Sequence, residues 1–371
     1  MDKKEVIRKK VLIIDNSKDI TGAYNSIITF SNCLKSEFDF HYAISSKRLS
    51  KEIKALGFNT HSVKFLEIQK NLSLILYLPL LLFNSFKLYR IITKHKIDII
   101  HVNDLYNMTG VILKLFDSKI HVLYHVRLLP DSYIRKIYKL LSKLIIRFSD
   151  KVICVSKAVF NSLPDSSKKE VVYDPVIKAN IKKNHDGEEP FVFLFPANFI
   201  YGKGQNYAIQ AFCDEFKPTD KVKLYFAGSD MDLKSNITYK EELQEIVNKG
   251  NRNHQIEFLN FVKNMPSLYS KADVTLVFSE SESFSMVTLE SMIYGTPVIA
   301  TKCGGPEELV NHNFNGILVN KGDLKEMREQ MRNLYENINV LKELSNNAAL
   351  IAKKYDSIKS AKELSDLYSN L

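Results

Sequence analysis

Cysteine is scarce and scattered. Cys33, Cys154, Cys213 and Cys303 stand far apart in the 371 residues, with no spacing of a metal-ligand set or a disulfide framework. They are expected as buried free thiols in a reducing cytosol. Long apolar runs are scarce as well. The stretch NLSLILYLPLLLFNSF, Asn71 to Phe86, is very apolar but broken by Pro79. It falls short of the roughly twenty residues that span a bilayer, which excludes a transmembrane helix. The start, MDKKEVIRKK, is charged, and the apolar run after it ends at Asp15, too early for a secretory signal. Acidic residues are the minority charge, 42 against 52 Lys and Arg, giving a net charge of +10. Phosphorylated substrates, anionic lipid and nucleic acid are all compatible with that balance. Nucleic acid ranks last, because no Cys/His spacing and no glycine-and-aromatic RNA-binding run is present.

What is present is an alternation. Strand-like runs stand at Val11–Ile14, Phe40–Ser45, Asn59–Val63, Ile97–Val102, Ile120–Val126 and Lys151–Val155. A helical pattern through Leu34 and others near 49–56, 72–94, 107–116, 133–148 and 157–163 separate them. Such alternation predicts an α/β fold with a mostly parallel sheet. The chain is long enough for two cores. A polar stretch, Lys178–Pro190, predicts the linker. Strands resume at Phe191–Phe195, Lys223–Ala227 and Ile256–Phe261. Helices are predicted over 324–337, 340–355 and 357–368.

The rest of the chain is organised around Ser279–Val310. The strand Val274–Phe278 leads to Glu282, then to a helix starting near Met286 and stopping at Gly295. Glu290 lies on that helix. The first-turn N–H groups of a helix are unpaired and carry partial positive charge, which suits a diphosphate. A carboxylate beside a phosphate is repelled unless it binds hydroxyls. Glu282 and Glu290 therefore suit a sugar and a ribose on either side of a diphosphate. The plainer alternative is a surface charge favoured at a helix start and an exposed helix residue.

The segment Glu282-Ser-Phe-Ser-Met-Val-Thr-Leu-Glu290, followed by Tyr294-Gly-Thr-Pro-Val-Ile-Ala-Thr301 and Gly304-Gly305-x-x-Glu308, resembles the E-x7-E signature of family-4 retaining glycosyltransferases. The resemblance implies the GT-B fold: two Rossmann-like domains facing across a cleft. It implies residues 1–180 as an acceptor-side domain and 188–350 as the nucleotide-sugar domain, with 351–371 packing back on the first. Carried over residue by residue, it implies donor contacts from Gly22, Asn198, Lys203, Gly204, Val262, Glu282, Phe284, Ser285, Met286, Val287 and Glu290. Lys203, framed by Gly202 and Gly204, matches the Lys that clamps the diphosphate. Asn198 stands where the family has Arg, and Ser285 where it most often has Gly. His125, at a strand end, matches a His near the donor sugar and joins Glu282 and Lys203 as catalytic. Arg127 and Asp131 after it are candidates to meet an acceptor.

The resemblance further implies transfer of a sugar from a UDP- or GDP-sugar to a glycan or polyprenyl-diphosphate-linked acceptor, in bacterial surface polysaccharide synthesis. No cofactor and no metal are expected, and Asp230-Met-Asp232 is expected as a turn rather than a metal site. The alternatives are an epimerase of the same fold and a weakly active nucleotide-sugar-binding subunit, the latter suggested by Asn198. A basic helix, Arg135–Arg147, carries Ile137, Leu140, Leu141, Leu144 and Ile145 on one stripe. With the apolar run after residue 71 it predicts a cytoplasmic protein peripheral on an anionic membrane.

Overall fold

Continuous apolar runs become inner strands because a parallel sheet is covered on both faces. The computed structural model describes residues 8–65, 73–132, 134–177 and 189–371. Most of the predicted linker, residues 178–188, lies outside them, as do residues 71 and 72 of the apolar stretch. The chain divides into two units, Met1–Pro175 with Ser357–Leu371, and Val176–Asp356.

The first unit alternates β1 (Lys10–Asp15), α1 (Gly22–Leu34), β2 (Asp39–Ile44), α2 (Lys47–Ala55), β3 (Asn59–Ser62), α3 (Ser73–His95), β4 (Ile99–Val102), α4 (Thr109–Phe116), β5 (His121–Val126), α5 (Arg135–Phe148), β6 (Lys151–Cys154), α6 (Lys157–Ser162) and β7 (Lys169–Val171). Its strands are parallel, in the order β3-β2-β1-β4-β5-β6-β7. Right-handed crossovers then place α1 and α2 on one face and α3, α4 and α5 on the other.

The second unit runs β8 (Phe191–Pro196), α7 (Gln205–Glu215), β9 (Val222–Ala227), α8 (Lys234–Lys249), β10 (Ile256–Phe258), α9 (Met265–Lys271), β11 (Val274–Val277), α10 (Met286–Ile293), β12 (Val298–Thr301), α11 (Pro306–Leu309), β13 (Ile317–Val319), α12 (Leu324–Glu336) and α13 (Ile338–Ala352). Its sheet order is β10-β9-β8-β11-β12-β13. Helix α14 (Ser357–Ser369) returns to the first unit, where Ala361, Leu364, Leu367 and Tyr368 join the core of β1, β2 and α1.

Two expectations need correcting. Cys33 is exposed and Cys213 half-buried; only Cys154 and Cys303 are buried thiols. On α5 the inward residues are Tyr138, Leu141, Ser142 and Ile145, while Leu140 is 59% exposed. Tyr138 and Ser142 tolerate burial because each hydroxyl is bonded, Tyr138 Oη to the Leu128 carbonyl and Ser142 Oγ to the Tyr138 carbonyl. In the apolar stretch, Leu78, Leu82, Phe83 and Phe86 of α3 are exposed. Pro79 lies inside that helix without ending it.

Candidate active site

In the second unit the chain leaves β8 toward β9 and β11 toward β12, in opposite directions. The carboxyl edge between β8 and β11 is therefore a switch point, where α/β sheets take ligands. The loop after β8 carries Lys203, and the loop after β11 carries Glu282. Their Nζ and Oε1 stand 2.7 Å apart. Ser279 Oγ donates to the same Oε1 at 2.7 Å. Burial opposes the Lys203 charge, but Glu282 outweighs it and raises the Lys203 pKa above its ordinary value.

The loops after β8 and β12 close on residues 278–284 because of two glycines. Gly204 has φ +87°, and a Cβ there would lie 2.1 Å from the Phe278 carbonyl oxygen. A Cβ on Gly305 would lie 2.4 Å from the Phe284 backbone. Glu282 is fixed between neighbours: its N–H donates to the Cys303 carbonyl at 3.1 Å, and its carbonyl accepts from the Gly305 N–H at 2.7 Å.

Helix α10 starts after Ser285, which has φ +70° and ψ 71°. That left-handed backbone favours glycine over any residue with a Cβ. Ser285 Oγ bonds Thr288 Oγ1 at 2.8 Å and does not cap the helix. Among the described residues, the Met286 and Val287 N–H groups bond no protein acceptor, which leaves them for an anion. We expect Ser285→Gly to leave Tm within a few degrees, since lost strain offsets added chain entropy and the missing hydroxyl contact. Ser285→Val should cost about 2 kcal/mol, because a β-branched residue fits that backbone poorly. A Val variant as stable as the Gly variant in thermal unfolding would contradict this.

Glu290 lies further along α10. Its Oε2 accepts from the Tyr269 hydroxyl at 2.8 Å. Tyr269 is 1% exposed, with its ring parallel to Tyr294. Burial raises the Glu290 pKa, with the Tyr269 bond pulling the other way. Glu290 is thus not an exposed helix residue; it has a partner in the core.

The other expected positions are less alike. Asn198 Oδ1 accepts from the Ser229 N–H at 3.0 Å, and its carbonyl accepts from the Gln205 amide at 2.9 Å. It ties loops together and supplies no charge in place of Arg. Phe284 is 3% exposed and packs on Tyr355, with its backbone against Gly305. Val262 is half-buried in the loop after β10, beside exposed Phe261. Asp230 Oδ1 accepts from the Asp232 N–H at 3.2 Å, and Oδ2 pairs with Lys240 at 3.2 Å. The Asp232 N–H, then Lys240, hold the Asp230 pKa down. This is a turn with a neutralised carboxylate.

The first unit has its own switch point, between β1 and β4. Gly22 opens α1 after Thr21, whose Oγ1 accepts from the Tyr24 N–H. Asn16 Nδ2 donates to Asp104 Oδ2 at 3.1 Å, and Asn107 Nδ2 to Asn16 Oδ1 at 2.7 Å. Sequence reasoning missed this amide and carboxylate set, as it missed Tyr269 and Ser279. The small polar residues directly after β1 and β4 were the available signal. His125 is fully buried on β5. Arg127 is no candidate for acceptor contact: it is 9% exposed, and Nη1 donates to both Asp174 oxygens at 2.7 Å. Asp131 pairs with Arg135 at 2.7 Å.

Comparison with known proteins bears on these two edges. The family model described as glycosyl transferases group 1 matches residues 176–350, and the model for Glycosyltransferase Family 4 matches residues 24–176. An uncharacterised glycosyltransferase of Methanocaldococcus jannaschii is 31% identical over 228 residues, 60% of this chain and 60% of the relative. The N-acetyl-alpha-D-glucosaminyl L-malate synthase of Bacillus anthracis is 28% identical over 162 residues, 43% of this chain and 40% of its own. The chain thus spans about half the length of the curated relatives it matches. The crystal structure of Anabaena HepE in complex with UDP and glucose has a TM-score of 0.83 at 22% identity, over 98% of this chain and 100% of that one. The two models abut and together cover residues 24–350, and the fold agrees across the whole chain: this protein belongs to the group 1, family 4 glycosyltransferases and has the GT-B fold.

Proposed function

We propose that this protein is a retaining glycosyltransferase that uses a nucleoside-diphosphate sugar. The Lys203–Glu282 pair beside the uncapped start of α10 carries the proposal. As the bond from sugar C1 to the phosphate oxygen breaks, the diphosphate gains charge. Lys203 and the Met286 and Val287 N–H groups stabilise that charge. The acceptor hydroxyl bonds to C1 on the same face, and its proton passes to the leaving phosphate. Glu282 binds sugar hydroxyls, and Glu290 binds the ribose. With the charge met this way, no divalent cation is needed. HepE was crystallised with UDP, glucose and UDP-glucose, which favours a UDP-hexose among donors.

The test is consumption of UDP- and GDP-hexoses in EDTA, with and without a polyprenyl-diphosphate-linked glycan. Acceptor-dependent release of UDP with an α-linked product supports the proposal. Equal turnover without acceptor would indicate an epimerase or hydrolase. Complete loss in EDTA, restored by Mn2+, would refute the metal-independent chemistry.

We further propose that the first unit docks on an anionic membrane, within a role in surface polysaccharide synthesis. Helices α3, α4 and α5 are neighbours in one layer. Leu78, Leu82, Phe83 and Phe86 of α3 and Leu115 and Phe116 of α4 are exposed. Arg135, Lys136, Lys139 and Lys143 are exposed on α5. No helix among the described residues is long and apolar enough to cross a membrane. Each basic residue near an anionic surface contributes about 1 kcal/mol, weakened by salt. Cosedimentation with phosphatidylglycerol liposomes should fall as salt rises. Changing the four basic residues to Glu should remove it without loss of Tm. Indifference of the wild type to such liposomes at low salt would point to a soluble acceptor.

A further inference from the structure

Three histidines meet in the first unit, on the α3 side of its sheet. In the parallel register His41 of β2 stands opposite Asn59, and Ala43 stands opposite His61 of β3. Residues two apart on a strand share a face, so His41 and His61 are diagonal neighbours. Their ring planes differ by 4°, with centroids 5.3 Å apart. His41 Nδ1 lies 3.0 Å from His61 Nε2. That is closer than stacked faces approach, and it is the length of an N–H···N bond. His95 ends α3, and its ring centroid is 4.9 Å from that of His61 and 5.3 Å from that of His41.

Strand β3 is the outermost of its sheet and only four residues long, so side-chain contacts matter to its hold. Besides the histidines, Lys87 Nζ donates to the Ser62 carbonyl at 2.7 Å, and Ser50 Oγ bonds Thr60 Oγ1 at 2.9 Å.

The histidine contact counts protons. A neutral imidazole has one N–H and one lone pair, so a single proton lies between His41 Nδ1 and His61 Nε2. His41 is 3% exposed, and among the described residues its Nε2 has no hydrogen-bond partner. Asp39 Oδ2 stands 3.6 Å from that nitrogen. The other charges facing the cluster are cations, Lys10 of β1 and Lys94 of α3. One added proton can be shared along the line from His61 through His41 to Asp39. A second sets two N–H donors against each other. Burial lowers the His41 pKa, with Asp39 opposing. Burial, then His41, His95 and Lys94, lower that of His61 to about 4.

We propose that His41, His61 and His95 form a proton-sensitive clasp that fastens β3 and the end of α3 to β2, closed when the rings are neutral and opened by acid. The clasp is independent of the sugar transfer proposed above. A histidine that is neutral when closed and titrates freely when open makes opening easier as pH falls below its ordinary pKa. The effect levels off below the closed-form value, about 4 for His61. Helix α3 carries the exposed Leu78, Leu82, Phe83 and Phe86, so acid frees one end of the helix that bears them.

Hydrogen exchange of the full chain at pH 7 and pH 5, read by mass spectrometry and corrected for intrinsic rates, tests the clasp. Amides of β3 and the last turn of α3 should lose protection by about tenfold or more. Those of β8 and β11 should lose less, because the second unit has no buried histidine among its described residues. Equal loss in both units, or none at β3, would overturn the proposal. His61→Gln keeps an amide donor near the Nε2 position without its proton site, and should flatten the pH dependence at β3 to about threefold or less. Full dependence in that variant would remove His61 from the clasp and refute it. Ring-nitrogen NMR of the 15N-histidine-labelled wild type needs no variant to fold. His41 and His61 should be neutral at pH 6, with a nitrogen–nitrogen coupling across their shared proton. Two imidazolium rings at pH 6 while β3 stays protected would equally defeat the clasp.

Discussion

Lys203→Ala should lower kcat/KM by about several hundredfold or more, the loss expected when one preorganised charge-stabilising group leaves a shielded site. The second cation of the family's clamp is absent, because Asn198 is neutral and tied to Ser229. In the proposed reaction one ammonium then carries the side-chain part of the leaving-group charge. Before donor binds, that ammonium is paired with Glu282 at 2.7 Å. In the proposed reaction, donor binding hands Lys203 to phosphate and Glu282 to sugar hydroxyls. Among the described residues, removing Lys203 leaves the Glu282 carboxylate with Ser279 alone, so a modest fall in Tm should accompany the kinetic loss. Lys203→Arg keeps the charge and should be milder. Near-normal turnover in Lys203→Ala would mean that the phosphate is held elsewhere. Asn198→Arg should not simply add a cation, because it also cuts the tie to Ser229.

Glu290→Ala should weaken UDP or GDP binding by about ten- to a hundredfold, the worth of a charged hydrogen bond. Tyr269 complicates the comparison, since the alanine leaves its hydroxyl unpaired near the core. Glu290→Gln and Tyr269→Phe separate the two effects. Gln still accepts from Tyr269 and should retain more affinity, while Tyr269→Phe should lower affinity only by loosening Glu290. Burial raises the Glu290 pKa, so affinity should fall with falling pH at milder acidity than for an exposed Glu. The fold also holds the Glu290 proton more tightly than the unfolded chain does. Its stabilising contribution is therefore full below the unfolded pKa and lost as pH rises through the folded one. Nucleotide affinity by calorimetry that is unchanged in Glu290→Ala would remove this residue from the site.

Much of the fold was legible because buried parallel strands are written as unbroken apolar words. FVFLF and VTLV announce β8 and β11 directly. Helices α7 and α8 were not foreseen. On α8 the inward stripe of Tyr239, Leu243 and Val247 is thin, and charged residues surround it. Strand β7 was missed because KEV carries two charges; Lys169 is buried there against the Phe160 ring. The ends of the site were legible as Lys203, Glu282 and Glu290. Their partners were not. Lys203 and Glu282 are 79 residues apart, and only the β8–β11 adjacency brings them together. Tyr269 meets Glu290 through a tertiary contact that no local pattern records.

The return of α14 has a consequence for how the chain is made. Val176 and Asp356, the two ends of the second unit, form a parallel bridge, so that unit is an insertion whose entry and exit coincide. It can close its core as soon as residue 356 is synthesised. The first unit begins earlier yet finishes later, because Leu364, Leu367 and Tyr368 fill its core. During translation its strands wait, incomplete and apolar, through nearly two hundred further residues. Nascent first-unit strands are therefore the segment exposed longest to chaperones and to misassembly on the ribosome.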